Sequence, residues 1–412
     1  MPSITLQLSL KYPLEFLLLV GLAVALPLYE APKNFFWIVY AFTWLINRAR
    51  SRDFGGPWDS WDSLIALWIA SSYIGAYFAG LHGSEWGGAN DVLRYGSILW
   101  LIKRSNYDKQ ELLWLASTLV ASTMLALLFA FWELYISHSS KALGLNSVGQ
   151  VNHSAIYMVI SYGAVLSLLL AYWKSLPNAW RVALSVVSML FSAAVLISSS
   201  RIAVAALMTL TFFTGLAWAR RSRMASYALS LCIVAFAGIA YFGHSSVVQK
   251  TEYYAEKEYV LNGREGLWNS AIVAWKQFPY FGVGMHNYNQ VSVERVKAWL
   301  EQSGKPFDPS LYLETAHAHS LYFNTLAERG IVGFSLLLLI LGAWLFGLAR
   351  YRPKPDEEPL AWALWGASFS GWFATAAIGL FNTTLHHEHA ILSVMLLGMW
   401  LAYLKGRSRA LN

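Results

Sequence analysis

Long apolar runs separated by short polar stretches dominate the chain. A membrane-crossing helix needs about 20 mostly apolar residues, and somewhat fewer where flanking side chains reach the interface. By this measure the pattern predicts about twelve spans, of which the second and fourth are short. We expect the first run to stay as a span, because no small-residue cleavage site follows it. The predicted spans are residues 12–29, 34–46, 62–80, 91–102, 112–137, 153–173, 180–199, 201–219, 225–242, 319–349, 359–380 and 390–404.

The composition agrees with a membrane protein. Of the 412 residues, 57% are hydrophobic and only 13% are charged, whereas soluble proteins carry about 25% charged residues. Such a chain is too apolar to be disordered and has too few charges to cover a soluble multi-domain enzyme. Its one cysteine, Cys232, excludes a disulfide framework and a cysteine-based metal cluster. The sequence therefore predicts an all-α polytopic membrane protein.

The basic residues predict the orientation of the spans. The net charge is +7, and the Lys/Arg clusters follow even-numbered spans or end the chain. Because short cytoplasmic loops are enriched in Lys and Arg, we expect these clusters and both termini to be cytoplasmic, with no nucleic-acid partner. All ten histidines then fall on or near the outer face. The basic clusters lie within residues 48–52, 103–109, 174–181, 220–223, 350–354 and 405–409.

One outer connection is far longer than the usual 4–6 residues. The expected division is nine spans in residues 1–242, a periplasmic loop in residues 243–316, and three more spans in residues 317–412. Two stretches of the loop, 264–277 and 291–302, have helical patterns and are separated by Gly/Pro punctuation. Because binding and catalytic residues concentrate on loops, function is expected here.

Two arginines on the outer side are candidates for binding an anion. Arg201 follows three serines between the seventh and eighth spans, and Arg264 opens the first helical stretch of the long loop. An arginine stays charged at a membrane edge, and backbone N–H groups at a helix start attract phosphate. The alternatives are an interfacial Arg201 that contacts lipid phosphates and a surface pair between Arg264 and Glu265.

His317 and His319 lie at the outer end of the tenth span. Histidine titrates near neutral pH, so either could act as a general base. The pair could instead be half of a metal site completed by His286 or by the histidines of residues 386–389, but the spacing matches no established metal site. The adjacent Glu328 and Arg329 are predicted to form a structural pair, because buried charges tend to pair.

Four motifs in order resemble the O-antigen ligase/polymerase superfamily. They are Ser-Arg at residues 200–201, Gly-Arg-Glu-Gly-Leu-Trp at 263–268, Pro-x-x-Gly-Val-Gly-x-x-Asn at 279–287, and His-Ser-Leu-Tyr-x-Asn-x-Leu-Ala-Glu-x-Gly-x-x-Gly at 319–333. The motifs cover residues 198–333, and the span layout extends the resemblance over the chain. One departure is Ser320, where the family usually has Asn.

Within the superfamily, the length, the outer loop and the two outer arginines resemble most the lipopolysaccharide O-antigen ligases. The resemblance implies a GT-C-like membrane fold and a metal-independent, inverting glycosyl transfer without a cofactor. Polysaccharide would pass from undecaprenyl diphosphate to a sugar hydroxyl of lipid A–core at the periplasmic face of the bacterial inner membrane. His319 would be the catalytic base, with His317 in support, and Arg201 and Arg264 would bind the diphosphate.

Other functions remain open at this stage. An O-antigen polymerase and a protein O-oligosaccharyltransferase would share the donor chemistry, so the motifs do not separate them from a ligase. A secondary transporter would also suit twelve spans with both termini inside. However, transporters usually show two related halves and polar or broken helices in mid-membrane, and this sequence has no half-to-half repeat.

Overall fold

The computed structural model describes residues 13–219 and 263–411, with the side chains of residues up to 407. The predicted ninth span, 225–242, and the beginning of the long loop lie outside the described residues. Within them the protein has thirteen α-helices and no strand. The helices are α1 (Leu14–Ala25), α2 (Glu30–Ser51), α3 (Ser60–Tyr77), α4 (Glu85–Arg104), α5 (Lys109–Tyr135), α6 (Val151–Tyr172), α7 (Asn178–Ile197), α8 (Arg201–Trp218), α9 (Arg264–Gln277), α10 (Val293–Gln302), α11 (Leu321–Arg350), α12 (Pro359–Ala377) and α13 (His387–Leu411).

Six of these helices, α5, α6, α7, α8, α11 and α13, are long and apolar enough to cross a membrane. Every predicted span within the described ranges overlaps a helix. The protein is therefore an all-helical polytopic membrane protein, as the sequence predicts. The count of twelve spans stays a prediction.

The helices that contain the predicted second and fourth spans are longer than those apolar runs. They are α2 and α4, which have 22 and 20 residues because both continue through charged residues at their ends. In α4, Lys103 and Arg104 are buried, and each lies within 2.8 Å of Asp62 of α3. In α2, buried Lys33 pairs with Glu388 of α13. These buried ion pairs let the helices extend beyond their apolar runs.

Helix α6 lies at the centre of the bundle. Nearly all of its side chains are buried, which suits its almost uninterrupted apolar sequence. It packs on α12, where the Ser370 hydroxyl donates to the Ile160 carbonyl oxygen at 3.2 Å. Its N-terminal end, beginning at Val151, carries His153, which is described with the candidate site below.

Helix α11 is interrupted at Gly330, whose φ of 58° and ψ of −163° are not helical. The segment of residues 279–284 runs against this break. Ile331 N–H donates to the Pro279 carbonyl at 2.8 Å, and Val283 N–H donates to the Ala327 carbonyl at 2.9 Å. A Cβ at Gly330 would lie 2.4 Å from the Tyr280 backbone. The motifs at residues 279–287 and 319–333 are therefore joined by main-chain hydrogen bonds.

Helices α9 and α10 share a small apolar core of their own, separate from that of the bundle. Both lie where the sequence predicts helical stretches, although α10 begins at Val293 rather than at 291. At the start of α9, Trp268 stacks on Phe323 of α11 with ring centroids 5.0 Å apart. At its end, Phe278 packs edge-on against Trp299 of α10. Helix α9 thus joins the start of α11 to α10.

Candidate active site

Arg201 and Arg264 each begin a helix. Arg201 is the first residue of α8, directly after a turn in which Ser199 has a φ of 57°. Arg264 is the first residue of α9 and follows Gly263, whose φ is 73°. The backbone N–H groups of a first helical turn have no partner within the helix, so an anion at either start would meet both donors and a guanidinium.

The guanidinium group of Arg264 is half-buried. Burial lowers the pKa of Arg264 from its usual value, and the charge of Arg201 lowers it further. The Nε atom of Arg264 is buried and has no hydrogen-bond partner within the described residues. A buried guanidinium nitrogen that lacks a partner is stabilised by a bound anion.

His319 lies just outside the helix that was predicted to begin with it. Helix α11 starts at Leu321, because Ser320 caps it by accepting from Phe323 N–H. Ser320 also donates to the Gly379 carbonyl oxygen at 3.3 Å. Ser320, which stands where the family usually has Asn, is therefore a buried helix cap. His319 itself is half-buried and has a φ of 47°.

The turn that carries the two histidines is held from both sides. The rings of His317 and His319 have centroids 4.3 Å apart. Ala318 N–H between them donates to the Asn324 side chain at 3.0 Å, and the Thr315 hydroxyl donates to the His317 carbonyl at 2.6 Å. These bonds fix the backbone of the turn.

The imidazole of His319 is neutral at physiological pH. Burial lowers its pKa to about 4, and the charges of His317, Arg264 and His153 lower it further. Burial also lowers the pKa of His317. A neutral imidazole can accept a proton, as a general base requires.

Glu328 and Arg329 are both buried but bind different partners, so the pair predicted between them is not the main contact of either. The Glu328 carboxylate accepts from the Asn324 amide at 2.9 Å and from Tyr288 N–H at 3.4 Å. Arg329 donates to the Ser71 hydroxyl of α3 at 2.8 Å. Glu328 thus supports the residue that holds the histidine turn, and Arg329 ties α11 to α3.

A second group of histidines connects α6, α13 and residue 286, and sequence reasoning did not foresee its extent. His153, the third residue of α6, lies with its ring centroid 5.1 Å from that of His389 and 5.2 Å from that of His387, both in α13. His386 contacts His286 of the outer loop at 5.5 Å. The run of residues 386–389 was a visible signal, but nothing in the sequence marked His153.

The structure does not assemble these side chains as a metal site. Among residues 13–219 and 263–411, no group of three or more His, Cys, Asp or Glu side chains is arranged to hold a metal ion. His286 instead lies 3.4 Å from the Asp91 carboxylate.

Comparison with known proteins identifies the segment that contains the site. Residues 185–338 match the family model described as O-antigen ligase. This segment carries Arg201, Arg264, His317 and His319. Over this segment, the chain resembles the O-antigen ligase family. The resemblance predicted from the four motifs is confirmed over these residues.

Two curated relatives are similar over shorter segments. The exopolysaccharide production protein ExoQ of Rhizobium meliloti is 29% identical over 114 residues, which are 27% of this chain and 24% of that protein. An uncharacterized protein of Haemophilus influenzae is 32% identical over 81 residues, which are 20% of this chain and 18% of its own length. The matches thus span a quarter or less of each relative.

Proposed function

We propose that this protein is a glycosyltransferase that moves polysaccharide from undecaprenyl diphosphate to a sugar hydroxyl of lipid A–core. The observation that carries the proposal is the packing of α9, which begins at Arg264, on the start of α11, directly after the turn that holds His319. Arginines that remain charged beside a membrane suit a lipid diphosphate, and the histidine suits a sugar hydroxyl.

The proposed reaction is a single displacement that inverts the anomeric carbon. The acceptor hydroxyl gives its proton to His319 while its oxygen forms a bond to the anomeric carbon. The bond from that carbon to the diphosphate oxygen breaks, and the lipid diphosphate leaves with the electron pair. Arg201 and Arg264 stabilise the charge that develops on this leaving group. None of these steps needs a metal ion or a cofactor.

The proposed setting is the bacterial inner membrane, with membrane lipid around a GT-C-like helical bundle. Nine spans in residues 1–242 and three in residues 317–412 would place residues 243–316 in the periplasm and both termini in the cytoplasm. The positions of the basic clusters support this orientation. The donor and the acceptor would then both be reached from the outer face.

The test is transfer by purified protein in nanodiscs. Wild-type protein is mixed with undecaprenyl-diphosphate glycan and lipid A–core, and the lipid products are separated by mass. We expect glycan on lipid A–core with wild type and none with His319→Ala. Failure of active, donor-binding protein to glycosylate lipid A–core would overturn the ligase assignment.

A polymerase is the second candidate, and the similarity to an exopolysaccharide production protein favours it. A polymerase would join the glycan to another lipid-linked chain, so donor alone would yield longer lipid-linked products. A protein acceptor would instead identify an O-oligosaccharyltransferase. Location of the gene among core-oligosaccharide genes would favour the ligase, and location inside an O-antigen cluster would favour the polymerase.

A further inference from the structure

A groove of about 480 Å³ lies between α9 and α10, away from the arginines and histidines of the candidate site. Small-molecule sites in proteins commonly have volumes of about 300–1,000 Å³. Its polar lining comes from both helices and the segment that follows α10. These lining residues include Asn269, Lys276, Gln277, Ser303, Lys305 and Tyr312.

The groove is positively charged. Lys276 and Lys305 line it, and none of its lining residues is Asp or Glu. Within the described part of the chain, neither amine has a carboxylate within 4 Å, unlike Lys297 of α10, which is 3.9 Å from Glu301. Two uncompensated amines that face one cavity favour an anionic occupant.

The rest of the lining suits a sugar chain. Tyr312 is half-buried, and its ring stacks on Phe307 with centroids 5.7 Å apart, which holds it in place. Gln277 is exposed at the rim. An aromatic ring with an apolar face and a polar edge, next to amides, offers both stacking and hydrogen bonds to saccharide hydroxyls.

Both walls of the groove are close to the candidate site along the chain. Asn269 follows Arg264 by five residues on α9, which is about 7.5 Å along the helix axis. Tyr312 precedes His319 by seven residues, a distance of at most about 25 Å along the chain. A glycan held between Arg264 and His319 would therefore need only a few more sugars to enter the groove.

We infer that this groove binds an acidic segment of the glycan chain, with Lys276 and Lys305 as the cationic contacts. The inference rests on the proposed glycosyl transfer for its biological meaning, but the groove's affinity for anionic saccharide can be measured without transfer. Its effect on the reaction would be selection among donors or acceptors by the charge of their sugars.

Binding of oligogalacturonate to purified protein in nanodiscs tests the inference, with a dextran oligosaccharide of equal length as the neutral probe. The double variant Lys276→Gln/Lys305→Gln should weaken oligogalacturonate binding by about fivefold to tenfold. It should leave dextran binding unchanged. The matched control is Lys297→Gln, an exposed lysine of α10 that does not line the groove, and it should bind both probes as wild type does.

Three results would overturn the inference. The first is equal binding of oligogalacturonate and dextran, and the second is an equal loss of oligogalacturonate binding in the Lys297→Gln control. The third is loss of oligogalacturonate binding when anionic lipid is added to the nanodisc, because the groove would then be a lipid site. Lys276→Arg/Lys305→Arg, which keeps the charge, should retain binding and so separates charge from folding. His319→Ala should bind oligogalacturonate as wild type does. A loss of glycosyl transfer can therefore be distinguished from a loss of saccharide binding in the groove.

Discussion

At the residue scale, His319 combines a strained backbone with a shifted pKa. Its φ of 47° is uncommon for a residue other than glycine, and such a conformation persists only where the surroundings hold it. Here the bonds at Thr315 and Asn324 hold the turn. The orientation of the ring is thus set by the loop and by the cap of α11 together.

The first prediction concerns this histidine. His319→Ala should lower transfer at least 100-fold, because a general base typically contributes 10²–10⁴-fold, and should leave donor binding largely intact. Rates and donor affinity are measured separately on protein that elutes as a single species. His317→Ala is the comparison and should lose less. A His319→Ala variant that keeps more than about a tenth of the rate would exclude His319 as the base.

The same histidine predicts a pH dependence. The base must be neutral, so the rate should fall only as pH drops through about 4, the pKa of the folded protein, rather than near 6.5. Because the unfolded chain takes up this proton first, the histidine's contribution to stability is present above about 6.5. That contribution is lost as pH falls toward 4. A rate that halves near pH 6.5 would show that His319 is not in this environment during turnover.

The arginines give the second residue-level prediction. Arg201→Lys and Arg264→Lys keep the charge but lose the planar fork that grips two phosphate oxygens. We expect each to lower transfer roughly 10- to 100-fold, and to weaken binding of the lipid-diphosphate donor. Arg181→Lys is the control, because this arginine lies against Trp173 at the start of α7, near the predicted cytoplasmic side and outside the candidate site. Wild-type activity in Arg201→Lys or Arg264→Lys would show that this arginine does not bind the diphosphate through its planar fork.

Metal independence is a third prediction, since the candidate chemistry needs only a base and two guanidinium groups. Transfer should be unchanged after treatment with EDTA and after addition of Mg²⁺, Mn²⁺ or Zn²⁺. Activity that is lost with chelator and restored by one of these ions would recast His286, His317 and His319 as ligands.

At the element scale, the break in α11 is the feature that links the outer loop to the bundle. Gly330→Ala should destabilise the protein by about 1–3 kcal/mol, because its conformation is nearly restricted to glycine and a Cβ would meet the Tyr280 backbone. Gly342→Ala is the matched control in the same helix, where a Cβ meets nothing within 4 Å. It should be neutral or stabilising by up to about 1 kcal/mol. Thermal unfolding in detergent compares the two, and similar melting temperatures would contradict this interpretation.

Helix existence could be predicted from the sequence better than helix ends. Apolar runs located the bundle helices, and the pattern around Arg264 located the start of α9. Hydropathy underestimated α2 and α4 because a charged residue counts against a span even when a partner from another helix neutralises it, as Asp62 does for Arg104. Such partners are distant in sequence, so a local pattern cannot reveal them.

The candidate site shows the same limit. Arg264 and His319 could be singled out from motifs, but the sequence contained no sign that His153 would lie beside the histidines of α13. The burial of the cap at Ser320 also could not be predicted. A serine before a helix is common, and its burial depends on the distant contact with Gly379. Long-range packing determined both.

At the scale of the whole molecule, orientation is the property to test. Reporter fusions after Gly243, which lies outside the described residues, and after Arg352 should report opposite compartments, outside and inside. The physical reason is that the Lys/Arg clusters all follow even-numbered spans. A fusion after Arg181 supplies a second cytoplasmic reference. The same compartment for Gly243 and Arg352 would show that the span count is wrong.

The main-chain bonds between residues 279–284 and α11 have a consequence for protein engineering. A loop fastened by backbone atoms keeps its position when its side chains are exchanged, provided that Gly282 and Gly330 are retained. The side chains of the loop can therefore be exchanged while its backbone keeps its position on α11. Chimeras that transplant the surface of α9 and α10 from one family member to another should keep the transfer chemistry while changing which glycan is accepted.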